Sequence, residues 1–274
     1  MSQRRDLFER IASALERIAA PVAPPTDWLS APAYVWNGDG AKAVPEIDAL
    51  PLDALRGIDN QKSAVSANLS RLAKGAASHD MLLWGARGMG KSALIRSTTS
   101  SVQRNTPDRL ALVQLAPGTL SSFPALINEL AEQPRAFLLF VDDLGFGADQ
   151  ARENLALRSL LDGGVVPRPA HIRLAVTSNR RAIVARDAHE ATALHERDER
   201  DDALALADRF GLTLGFHPCD RATYLEILRG YTDSLGLAFN EEEALAWAIA
   251  RGNRSGRTAY QFATELAGRA GKAI

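Results

Sequence analysis

The chain has 274 residues, of which 46% are hydrophobic and 24% charged, with a formal net charge of −1. That length allows one large domain or a large domain plus a small one, and the composition is that of an ordinary globular protein. The near-zero charge excludes a molecule that grips nucleic acid by its overall field, although a local basic patch stays open.

At the start, Leu7, Phe8, Ile11, Leu15 and Ile18 recur at helical spacing, so residues 4–19 are expected to form an amphipathic helix. Its polar face mixes both signs, which favours docking on the protein's own core or a neighbouring subunit over a membrane surface. Arg4 and Arg5 are followed by Asp6, Glu9 and Glu16, so neither a signal peptide nor a transit peptide is expected. The stretch from Pro21 to Pro32 is proline-rich and reads as extended.

From about Leu52 the pattern becomes regular. Residues 59–74 read as a helix, and Met81–Trp84 as a short apolar strand. A glycine loop and a helix of Ser92–Ser100 follow. Leu110–Leu115 is the next strand candidate, residues 120–132 a helix, and Ala136–Val141 a strand. Residues 149–161 read as a helix, Ile172–Thr177 as a strand and Leu212–Phe216 as the fifth apolar run. Strands alternating with helices, each strand nearly continuous in apolar residues, indicate βαβ units and a parallel sheet buried on both faces. Even Ala136–Val141 falls far short of the roughly 18 residues that cross a membrane.

After His217-Pro218 the pattern is wholly helical. Tyr224, Leu225, Leu228 and Tyr231 share one face, Leu245, Ala248 and Ile249 another, and Ala259, Phe262 and Leu266 a third. The expected organisation is an N-terminal helix and proline-rich extension over 1–50, an α/β domain over 51–218 and a small helical domain over 219–274. The single cysteine, Cys219, cannot build a disulfide framework or a cysteine-based zinc site. It reads as a small hydrophobe and fits a reducing, cytoplasmic setting.

The chemistry starts at Gly85-Ala86-Arg87-Gly88-Met89-Gly90-Lys91-Ser92, a full match to G-x-x-x-x-G-K-[ST]. Glycines let the backbone curl so that successive N–H groups face phosphate oxygens, and the next helix adds its positive N-terminal end. Lys91 is placed to reach the β- and γ-phosphates, and the Ser92 hydroxyl to ligate Mg²⁺. The strand before the loop and the helix after it supply the context the motif needs.

Phe137–Val141 ends in Asp142 and Asp143, at the strand end where ligands of open α/β sheets sit. Asp142 is placed to hold Mg²⁺ through water, and Asp143 to orient or deprotonate an attacking water. The alternative for either is a cap on the next segment. Asn179, closing Thr177-Ser178-Asn179, can sit between a γ-phosphate and that water, or merely cap a turn before Arg180-Arg181. Arg209, in Ala207-Asp208-Arg209-Phe210-Gly211, is either a surface ion-pair residue or a functional one.

With these residues in order, the chain resembles the AAA+ ATPase superfamily, and more narrowly a group of bacterial AAA+ predicted ATPases of unknown function. The segments that carry the likeness are Leu55–Lys62, the glycine loop, Val141–Leu144, Thr177–Arg181, Leu206–Leu212 and Arg251–Arg257. They span about residue 50 to the end. The resemblance implies a five-stranded parallel P-loop sheet of AAA+ type with a C-terminal helical lid, ATP and Mg²⁺ as cofactors, and Mg²⁺-dependent ATP hydrolysis. It implies that Gly57 and Ile58 lie beside the adenine, and that Ala93 follows the loop at the nucleotide. Asn179 would be the first sensor, and Arg257, or else Arg254, the lid sensor. Arg209 would be an arginine finger acting on a neighbouring subunit's nucleotide, so the chain would work as a homo-oligomer, six subunits being the superfamily's habit, on a macromolecular client. An ATP-gated assembly switch and a P-loop kinase are the competing readings. Residues 186–202, dense in both charges, read as a solvated insertion, with a metal site or partner-binding loop as the alternative.

Overall fold

In the computed structural model, the residues described are 25–145, 168–179 and 207–273, with Arg10, Leu157, Arg158, Leu160 and Leu161. The expected helix over 4–19, most of that over 149–161 and the charged segment 186–202 lie outside the described residues.

Seven strands form one sheet in the order β2-β1-β4-β5-β6-β3-β7. They are β1 (Ala33–Trp36), β2 (Ala41–Val44), β3 (Met81–Gly85), β4 (Leu110–Leu115), β5 (Ala136–Val141), β6 (Ile172–Ser178) and β7 (Leu212–Phe216). The five expected strands are present and pair in parallel. The expected count of five is too low. β1 adds to the sheet parallel to β4, and β2 pairs antiparallel with β1 at the edge. Asn37-Gly38 supplies the turn between them, with the Asn37 amide donating to the Gly40 carbonyl at 2.9 Å. Asn-Gly flanked by apolar and β-branched residues is a hairpin signal, masked in the sequence by the preceding prolines, which read as an extended arm.

Six helices lie along the described chain: α1 (Asp59–Ala73), α2 (Lys91–Asn105), α3 (Phe123–Ala131), α4 (Arg221–Thr232), α5 (Glu241–Ala250) and α6 (Gly256–Arg269). The pleat sends alternate strand residues to opposite faces. Met81, Leu83, Leu138 and Phe140 join one core with Val65 and Leu69 of α1, Leu94 and Ile95 of α2, and Tyr224, Leu228 and Phe262 of the C-terminal helices. Leu82, Phe137, Leu139 and Val176 join the other, with Leu126 of α3 and Trp28, Tyr34 and Trp36 of the N-terminal arm. Burial on both faces explains why β5, wholly buried, is apolar at every position.

The arm is tied down by polar groups as well. Arg135, only 5% exposed, donates to the carbonyls of Ala31 at 2.7 Å and Leu110 at 2.8 Å. Trp36 Nε1 donates to Ser122 Oγ at 2.7 Å. The C-terminal helices are capped by side chains. Asp220 accepts from the Thr223 amide, Asn240 from the amides of Glu242 and Glu243, and Ser255 and Thr258 form a reciprocal capping box. No helix of the described residues is long and apolar enough to cross a membrane.

Candidate functional site

The C-terminal end of β3 runs into the glycine loop. Gly85 has φ +124°, and a Cβ there would stand 2.1 Å from the Phe216 carbonyl oxygen of neighbouring β7, so only glycine fits. That close approach is sealed by the Ala86 amide, which donates to the same carbonyl at 2.7 Å. Gly90, at φ +86°, turns the chain into α2 in a left-handed conformation that other residues resist. The amino end of α2 and its unpaired N–H groups therefore face the loop's concave side, which is the physical requirement for binding an anion.

Around this end lies a cavity of about 440 Å³. Its walls hold Arg87, Gly88, Gly90, Lys91, Ser92 and Ala93 from the loop and α2. Asp142, Asp143 and Asn179 come from the ends of β5 and β6, and Arg257 from α6. One hydrogen-bonded chain runs through them. Lys91 Nζ donates to the carbonyls of Gly85 and Ala86 at 3.0 and 2.9 Å and to Asn179 Oδ1 at 2.8 Å. Asn179 Nδ2 donates to Asp143 Oδ1. Thr177 Oγ1 accepts from the Asp143 amide at 2.8 Å and donates to Asp142 Oδ1 at 2.6 Å. Ser92 Oγ donates to the same Asp142 oxygen at 2.5 Å.

Electrostatics follow from this geometry. Lys91, 5% exposed, has its ammonium pKa lowered to about 8. Burial is the main cause, Asp143 and Asp142 pull it back up, and Arg257 pushes it further down. Asp143 itself sits at φ +58°, a left-handed conformation that Asp and Asn tolerate better than other non-glycine residues. That backbone turn is fixed by the Thr177 hydroxyl beneath it.

Some expected residues lie elsewhere. Gly85, Ala86 and Met89 stand behind the loop's inner wall; the first two offer carbonyls to Lys91 and Met89 is buried in the core. Gly57 and Ile58 do not line the cavity. Gly57 abuts Thr223 of α4, and Ile58 Cδ1 reaches to 3.7 Å from the Cβ position of Gly90, against the back of the loop. Arg254 also stands off the cavity, its carbonyl accepting from Cys219 Sγ at 3.1 Å. Arg209 is exposed in the turn before β7 and is not among the residues lining the cavity.

Other wall residues escaped the sequence reading. Asp48, Ala49 and Leu50 come from the segment after β2, Arg96 from the second turn of α2, and Tyr231 and Tyr260 from α4 and α6. The two tyrosine rings meet edge to face, 5.4 Å apart, and burial first, then Tyr260, pushes the Tyr231 hydroxyl up to about 12. Thr177 enters the sequence reading only as a flank of Asn179, although a hydroxyl alternating with buried apolar residues at a strand end is a signal for such a polar hub.

The Ser92 and Asp142 oxygens are a hard donor set suited to Mg²⁺, which takes few protein ligands and fills its shell with phosphate and water. The described residues hold no group of three or more His, Cys, Asp or Glu that could cage a metal by themselves.

Solved structures with similar folds include the Thermotoga maritima RuvB Holliday junction branch migration motor, 17% identical, with a TM-score of 0.51 over 81% of this chain and 66% of that one. A single-residue variant of the same protein gives 18% and 0.52 over the same shares of the two chains. The Aeropyrum pernix ORC1 protein in complex with DNA is 14% identical, with a TM-score of 0.56 over 80% of this chain and 62% of that one. The chain thus spans just under two thirds of the RuvB chain it matches. At these identities the likeness is one of fold, a mostly parallel α/β sheet flanked by helices. No curated protein matches the sequence. Residues 29–270, which hold the whole cavity wall, match the family described as "Protein of unknown function (DUF815)", and the chain belongs to it.

Proposed function

We propose that this protein binds ATP with Mg²⁺ and hydrolyses it, as a homo-oligomer whose hydrolysis does conformational work on a macromolecular partner. The observation that carries the reading is the convergence of Lys91, Ser92, Asp142, Asp143, Asn179 and Arg257 on one cavity at the mouth of the glycine loop. These residues come from four separate elements. Chance does not bring a lysine, two acids, a polar amide and an arginine to the amino end of one helix.

The division of labour follows from charge and reach. The loop amides and Lys91 hold the phosphate tail, for which Lys91 exchanges its contacts to Gly85, Ala86 and Asn179. Ser92 and Asp142 would hold Mg²⁺, which when bound would neutralise phosphate charge. Asp143, steered by Asn179 and by the Thr177-fixed turn, orients a water toward the γ-phosphorus and accepts its proton. The water oxygen bonds to phosphorus as the bond from phosphorus to the β–γ bridging oxygen breaks. The electron pair leaves on ADP, and inorganic phosphate is the second product. Arg257 draws α6 toward the γ-phosphate, and Arg209 serves the neighbouring subunit's nucleotide, which makes assembly a condition of fast turnover.

The test is Mg²⁺-dependent phosphate release by the purified protein at increasing concentration. Turnover per subunit should climb as the protein assembles. ATP binding with assembly but no phosphate release would favour an ATP-gated switch, and phosphate transferred to a small acceptor would favour a kinase. The Asp143→Asn protein loaded with ATP should then retain the client in a pull-down.

A further inference from the structure

Four cations line the cavity: Arg87, Lys91, Arg96 and Arg257. Three acids share the wall: Asp142 accepts from two hydroxyls and Asp143 from the Asn179 amide, both also attract Lys91, and Asp48 stands on the segment after β2. Lys91 is engaged by three neutral oxygens. Arg87 is different. It stands inside the glycine loop, is exposed, lines the cavity, and no described residue pairs with it.

Backbone geometry anchors a second arginine beside it. The next residue, Gly88, lies so close to α6 that a Cβ on it would stand 3.1 Å from Arg257 Cβ. Consecutive Cα atoms are about 3.8 Å apart, so Arg87 and Arg257 are anchored on adjoining sites. Two arginines rooted on adjoining sites of one cavity wall can share a single anion. A guanidinium's planar fork matches phosphate oxygens in pairs, which a lysine at the same place does not.

We propose that the Arg87 side chain is a phosphate ligand supplied in cis, binding the terminal phosphoryl group of the nucleotide together with Arg257. The inference rests on the ATP-hydrolysis reading above and deepens it. Arg87 donates N–H groups to phosphoryl oxygens and transfers no proton; it stabilises the charge on the phosphoryl group in flight. It also gives a single subunit a way to tell ATP from ADP, since only the former brings the group that both arginines share.

The test uses the full chain and two measurements. Calorimetry gives Mg-ATP and Mg-ADP affinities, and phosphate release gives kcat and KM, for wild type, Arg87→Ala, Arg87→Lys and Lys91→Ala. Arg87→Ala should bind ATP about tenfold more weakly, as expected for a lost charge-assisted hydrogen bond, while its ADP affinity moves less than about twofold. Its kcat should fall at least about tenfold, and Arg87→Lys should recover part of both losses. If Arg87→Ala keeps the wild-type preference for ATP and the wild-type kcat while Lys91→Ala loses nucleotide, this proposal is overturned and the phosphate loop stands. If wild type binds neither nucleotide, the underlying reading falls and takes this one with it. Should Arg87→Ala fail to fold, Arg87→Lys against Arg87→Gln gives the same decision: equal ATP preference in the two overturns it.

Discussion

The amide of Arg257 donates to the carbonyl of Gly88 at 3.1 Å, so the first turn of the last helix is hydrogen-bonded directly to the glycine loop. Gly256 makes room for that contact. A Cβ on it would lie 2.9 Å from the Gly88 carbonyl oxygen, which is backbone and cannot step aside. That bond ties the start of α6 to the loop, beside the cavity that Arg257 lines.

Gly256→Ala should push α6 away from the loop and weaken ATP binding roughly tenfold, the effect of about one displaced charge-assisted contact. Gly268 lies in the same helix, and a Cβ added to it would meet nothing within 4 Å, so Gly268→Ala should leave affinity alone. It should also raise stability by about 0.5–1 kcal/mol, as alanine does in a helix interior. Calorimetric affinities and urea melts of the two variants check the pair; equal affinities would mean that the Gly88–Arg257 bond has no part in the site.

ATP affinity should depend on pH through Lys91. In the free protein its pKa is lowered to about 8, first by burial, so it is charged below that pH and increasingly neutral above it. A phosphate tail favours the charged form and raises the pKa in the complex. Binding above about pH 8 must then take up a proton, and affinity should fall by up to about tenfold per pH unit there. Titrations in buffers of different ionisation enthalpy, at about pH 7 and about pH 9, measure the proton directly. Lys91→Ala should weaken binding at least about tenfold and remove this proton uptake. A pH-independent affinity in the wild type would reject Lys91 as the titrating phosphate ligand.

Asp143→Asn should bind ATP as wild type does and hydrolyse it about 10²–10⁴-fold more slowly, the span expected for losing a positioned proton acceptor. Asparagine is the suitable probe because residue 143 sits at φ +58°, where most other side chains add backbone strain. Unchanged phosphate release would reduce Asp143 to a structural turn. Thr177→Val keeps the shape but removes the hydroxyl that joins Asp142 to the Asp143 amide. It should lower kcat while leaving the melting temperature within a few degrees.

Arg209→Ala should yield subunits that bind ATP but hydrolyse it about 10³-fold or more slowly. Mixing them with Asp143→Asn subunits should restore activity, because an interface can then join an intact pocket to an intact Arg209. Mixtures that stay as slow as either parent would show that no active site is shared between subunits.

Much of this protein is determined locally and so is legible in its sequence. Leu110–Leu115 and Ala136–Val141 are strands because burial on both sheet faces demands near-continuous apolar residues. The glycine loop is legible because a tight anion-facing turn needs φ values that only glycine reaches at Gly85, Gly88 and Gly90. Tertiary structure alone decided the rest. The hairpin of β1 and β2 joins the sheet because Trp28, Tyr34 and Trp36 find a core to fill and Arg135 finds the arm's carbonyls, partners about a hundred residues apart. Asp48, Arg96, Tyr231 and Tyr260 meet at the cavity, and Arg257 rather than Arg254 faces it, because α4 and α6 fold back over the loop. Periodicity reports which face of an element is apolar; it carries no record of what that face will touch, since contact depends on the packing of elements far apart in the chain.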